Sequence, residues 1–215
     1  MNNNEEIILP RRVVPQPVPF ISPAGDCSGC ALSGLLGLTG PAEVYARWPE
    51  EASIRKPEDK PRSLSWYNVR QVIRTASGEG LIQDYLDDMP IWIPNHGEGY
   101  YGAPGFLVAL QWYRYLRMAL QAGYYALANV VHGKTAPKTQ PDHVVMLVGA
   151  RCRWEEGPIP GSRSGSFEIL VSCSSTSTPA EEWVEASEFL RDRGGFNLYL
   201  AKPSETPVET PVETP

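Results

Sequence analysis

Four cysteines in 215 residues are too few to staple a disulfide scaffold, and a reducing compartment would keep them as thiols. Basic residues are sparse too. Lys and Arg number 19 against 25 Asp and Glu, a formal charge of −6, with no dense cationic block. A phosphate backbone needs clustered positive charge, and anionic lipid repels this balance, so neither nucleic acid nor a membrane surface is an expected partner. No apolar run approaches the roughly 20 residues that span a bilayer. The opening "MNNNEEIILPRRVVPQPVPF" lacks the basic start, apolar core and small-residue cleavage site of a signal peptide. The expected location is the cytoplasm, although secretion by a signal-less machine would leave the same pattern.

What the chain does hold is enough apolar material for a core, with 42% hydrophobic and 10% aromatic residues. Its length suits one domain. Residues 1–20 carry Pro10, Pro15, Pro17 and Pro19 and read as an extended arm along the surface. Residues 204–215 repeat Glu-Thr-Pro-Val, an acidic, proline-rich tail with nothing to bury, expected to be disordered. The domain proper is expected over 21–203.

Helical spacing dominates its first half. Asp26 can cap a helix with Ala31, Leu32, Leu35 and Leu36 on one face, closed by Gly37, Gly40 and Pro41. Ser65 caps a second, with Trp66, Val69, Val72 and Ile73 aligned. "LIQDYLDDM" reads as a third through Leu81, Ile82, Tyr85, Leu86 and Met89. The longest, "FLVALQWYRYLRMALQA", leaves only Gln111, Arg114, Arg117 and Gln121 as a narrow polar stripe and is expected to be mostly buried. From Gly123 onward β-branched and aromatic runs take over: "YYALANVV", "HVVMLVGARCRW", "SFEILVSC" and "FNLYLAKP". "EEGPIPGSRSG" has the composition of a hairpin connection, and "PAEEWVEASEFLRDRGG" reads as a short helix ending on Gly194 and Gly195. The fold class is α+β, an antiparallel sheet packed against helices.

Chemistry concentrates in "GDCSGCALSGLLGL". Cysteine attacks as the thiolate, which a helix N-terminus and a neighbouring imidazole both stabilise. Cys27 falls in the first turn of the expected helix, followed by the small Ser28 and Gly29; Cys30 lies deeper, among apolar residues, where a thiol packs as a small hydrophobe. Of the three histidines, His96 sits in a glycine-rich loop, His132 ends a strand, and His143 opens the strand "HVVMLVGA". A base on the first residue of a core strand is held firmly while its ring faces a cleft, as a thiolate–imidazolium pair requires. The rival readings of the cysteines are packing, zinc or a redox pair. Zinc would need Cys152 and Cys173 as further ligands, and these do not form a second Cys-x-x-Cys. The paired carboxylates Asp87–Asp88 and Glu181–Glu182 read as solvated faces, and "GEG" and "GYYG" lack the context of a phosphate loop.

"DCSG" opening a helix, with "HVVMLVG" much later, resembles the papain-like cysteine peptidase superfamily. The tetrad is similar to the NlpC/P60 peptidases. The run from Asp26 through Leu36 and Gly37, with the later strand order, resembles the C39-like, bacteriocin-processing branch. The resemblance implies a papain-like fold, the helical half carrying the cysteine and the sheet carrying the histidine. It implies Cys27 as nucleophile, His143 as general base and acid, and the Cys27 backbone N–H as an oxyanion donor. The superfamily's glutamine before the cysteine is replaced here by "PFISPAGDC", in which Ser22 is the side-chain donor. Its orienting Asn, Asp or His falls on "LVSCSS", at Cys173 or its neighbours Ser172 and Ser174. The implied activity is cleavage of a peptide or isopeptide bond in a protein or peptide substrate, with no cofactor. A deamidase or acyltransferase would use the same pair, and a binding module would keep the shell with a lapsed site.

Overall fold

The computed structural model describes residues 6–10, 27–52, 65–89, 106–130, 143–156, 163–172, 181–190 and 197–204. In chain order these form β1 (Glu6–Ile8), α1 (Cys27–Leu36), α2 (Pro41–Arg47), α3 (Trp66–Gly78), β2 (Ile82–Met89) and α4 (Phe106–Gln121). There follow β3 (Tyr125–Val130), β4 (His143–Glu156), β5 (Arg163–Ser172), β6 (Glu181–Glu185), α5 (Ala186–Glu188) and β7 (Asn197–Pro203). The strands make one antiparallel sheet in the order β2-β7-β3-β4-β5-β6, with β1 paired to β4 beyond the end of β3. The expected α+β arrangement is therefore present. No described helix is long and apolar enough to cross a membrane.

Helices cover both faces of the sheet. Leu32 and Leu35 of α1, Val44 of α2 and Val69, Val72 and Ile73 of α3 pack with Leu127, Val144, Met146 and Tyr199. On the other face, Trp112, Tyr113, Leu116 and Leu120 of α4 and Phe189 pack with Ala128, Val145, Leu147, Val171 and Leu200. This double cover explains why "YYALANVV" and "HVVMLVGA" are continuous apolar runs instead of alternating ones: successive side chains enter opposite cores. Gly149 is needed where β1 joins, because a Cβ there would lie 2.9 Å from the Ile7 carbonyl oxygen and 2.9 Å from Leu170 Cβ.

Local chemistry sets the helix ends. Ser65 caps α3 by accepting from the Asn68 N–H at 3.2 Å. α1 ends at Gly37, whose φ of +72° lets the Leu38 N–H return to the Ser33 carbonyl at 2.8 Å. Gly40 and Pro41, expected to close α1, instead start α2, with Pro41 in the first helical position where its missing N–H costs nothing.

Four expectations are corrected. Leu81–Met89 is not helical: Gly80, at φ +78°, turns the chain out of α3, and Ile82–Met89 pairs with β7 across two register irregularities. A nine-residue helix is marginal alone, whereas the β7 edge offers a ladder, and Leu86 ends exposed. The segment from Glu181 is a strand, β6, followed by one turn in which the Glu185 carboxylate accepts from the Glu188 N–H at 2.9 Å. Residues 6–8 of the expected surface arm are a strand of the sheet, with Ile7 packed on the α4-side core. α4 is less buried than its apolar sequence suggests, with Met118 67% and Tyr115 36% exposed. The expected helix stop at Gly194–Gly195 and the tail beyond Ser204 lie outside the described residues.

Candidate active site at the start of α1 and β4

Cys27 is the first residue of α1, and its sulfur is buried where that helix meets the sheet. The Val144 backbone N–H donates to Cys27 Sγ at 3.3 Å. Two donor sources thus converge on one thiol: this amide and the positive end of a ten-residue helix. Both favour the thiolate over the thiol. Every residue of α1 is buried, and the Ser33 hydroxyl donates back to the Gly29 carbonyl at 2.6 Å.

His143, the first residue of β4, is also buried and immediately precedes the amide that holds the sulfur. Directly opposed residues of a sheet share a face. His143 opposes Val130, which packs in the α4-side core, whereas Val144 packs with Cys27 in the α1-side core. The histidine and the cysteine therefore start from opposite faces of one strand end. The sulfur is thus held from the β4 backbone, at the residue after His143. Among the described residues, β5 pairs with β4 no further than Ser172–Met146, and His143 to Val145 extend past it.

Ser172, one of three candidate orienting positions, is fully buried at the end of β5. It opposes Met146, so it shares the face of Cys27, not that of His143. Ser22, Cys173 and Ser174 lie outside the described residues, as do Asp26, His96 and His132. Cys30 is fully buried, three residues further along α1. Cys152 packs on the α4 side of the sheet, away from Cys27 and Cys30. Burial pushes its thiol above the ordinary value, and the Arg117 charge offsets this only in part. Among the described residues no three of His, Cys, Asp and Glu gather in a metal-binding group.

Two features of the site were not anticipated. One is the Val144 amide, invisible in sequence because any residue but proline supplies an N–H. The other is Asn129, which opposes Val144 in register and is half-buried on the α1 side of β3. Asn129 is the single polar residue in "YYALANVV", and that interruption was its signal. With the geometry in view, comparison with known proteins gives no matching family model and no matching curated protein.

Proposed function

We propose that this chain is a cysteine hydrolase of papain-like fold that cleaves a peptide or isopeptide bond. The observation that carries the reading is the Val144 N–H to Cys27 Sγ contact at 3.3 Å, which ties the thiol to the strand end that bears His143. His143 directly precedes the residue whose amide holds the sulfur, so in this reading its imidazole turns round the start of β4 to reach it. The Cys27 thiolate attacks the scissile carbonyl, and His143 holds the thiol proton and returns it to the leaving amine. In this reading the backbone N–H groups of the first turn of α1, that of Cys27 first, are the oxyanion donors. Water then resolves the thioester; an amine in its place would give acyl transfer, and a side-chain amide as substrate would give deamidation.

A second reading, a binding module with a lapsed site, draws on one observation: the strand register puts His143 on the face away from Cys27. Iodoacetamide at pH values below 7 separates the two. The hydrolase reading expects fast alkylation confined to Cys27, slowed in His143→Ala and absent in Cys27→Ala. Alkylation of Cys27 as slow as that of Cys30, and unaffected by His143→Ala, would sink it.

A further inference from the structure

Two thiols share the first turn of α1, and hydrolysis uses only one of them. Neither Cys27 nor Cys30 is in a disulfide, and both are buried. Side chains three apart on an α-helix are neighbours, with Cβ atoms about 5–6 Å apart. A disulfide needs about 3.5–4.5 Å between them. The first turn is the part of a helix that its own hydrogen-bond ladder holds least, so the gap closes there with least loss of that ladder. The two intervening residues, Ser28 and Gly29, are small. The third described cysteine, Cys152, sits in the core on the other side of the sheet and cannot compete.

We propose that Cys27 and Cys30 form a reversible disulfide on exposure to peroxide, with Cys30 as the resolving thiol. The consequence for catalysis rests on the hydrolase reading, whereas the bond itself does not. The Cys27 thiolate attacks one peroxide oxygen, the O–O bond breaks and hydroxide leaves. The sulfur is thereby oxidised to a sulfenic acid while the peroxide is reduced. The Cys30 sulfur then attacks Cys27 Sγ. The S–S bond forms, the S–O bond breaks, and the hydroxyl departs as water with the Cys30 proton. The Val144 amide and the helix terminus that make Cys27 nucleophilic toward a carbonyl make it equally reactive toward peroxide. Once bonded to Cys30 the sulfur is no longer a nucleophile, and a cellular thiol such as glutathione restores it.

The test treats the full chain with hydrogen peroxide and maps its peptides by mass. In wild type, the peptide holding both cysteines is expected two hydrogens lighter, reverting with dithiothreitol. In Cys30→Ser, Cys27 is expected to gain two oxygens irreversibly. Wild-type Cys27 that gains oxygen while Cys30 stays a free thiol, or that pairs with Cys152, overturns the proposal. Should Cys30→Ser melt early, Cys30→Ala and the wild-type map decide. A disulfide in a chain with no peptide hydrolysis defeats the hydrolase reading alone. Hydrolysis that peroxide abolishes beyond rescue by dithiothreitol defeats the disulfide alone.

Discussion

Cys27 and Cys152 are buried to similar degrees, 2% and 7% exposed, on opposite faces of the same sheet, yet their surroundings pull in opposite directions. Cys152 lies within β4 among apolar neighbours, and removal from water disfavours its thiolate. Cys27 loses as much water but gains an amide donor at 3.3 Å and a helix terminus. Burial alone disfavours a thiolate, whereas donors aimed at a sulfur favour it. The sharpest break of that comparison is deletion of each thiol. On the proposed hydrolase reading, Cys27→Ala is expected to abolish hydrolysis and acid-side alkylation completely, and Cys152→Ala to leave both unchanged. Activity that survives Cys27→Ala would end the comparison outright.

The next largest effect belongs to His143. Removing a general base costs about a hundred- to ten-thousand-fold in rate. His143→Ala should lose turnover in that range with folding intact by thermal melting, and its alkylation rate against pH should shift to higher pH. An unchanged profile would mean that Cys27 is activated by backbone donors alone. Val144→Pro then isolates those donors, because it removes the N–H that reaches the sulfur. A hydrogen bond to a charged acceptor is worth roughly 1.5–3 kcal/mol, so losing it should disfavour the Cys27 thiolate. Alkylation at pH 6.5 should fall about tenfold. A profile that stays put would show that the helix terminus carries the effect.

The sequence made some of this legible and hid the rest for definite reasons. α3 was readable because Ser65, Val69, Val72 and Ile73 give a cap and a period together. The long strands were readable because β-branched residues ran on without helical spacing. Ile82–Met89 was misread because its apolar residues fit a helix, while its partner β7 lies more than a hundred residues away and leaves no local trace. β6 was misread likewise: its Glu-rich composition favours a helix, and only the edge of β5 makes it a strand. At the site, side-chain chemistry pointed to Cys27 and His143, but their faces depend on register. Register is a property of strand pairs: His143 faces the α4 side only because it opposes Val130.

The smallest effect sharpens the comparison from the inert side. At Cys152, burial raises the thiol and Arg117 of α4 lowers it, with burial the larger influence. Arg117→Met keeps a long apolar stem to cover the same surface and deletes the charge. Its Cys152 should titrate still higher, and alkylation at pH 9 should slow by a few-fold, with no change at Cys27. A raised folded-state pKa contributes stability below the unfolded value that is lost as pH rises through the folded one. In Arg117→Met that loss should begin at the same pH and continue further into base, read as a lower melting temperature relative to pH 7. If Cys152 instead labels faster in Arg117→Met, the arginine was shielding the thiol and not tuning it. The inertness of this face would then be steric, and the contrast with Cys27 would no longer be one of electrostatics.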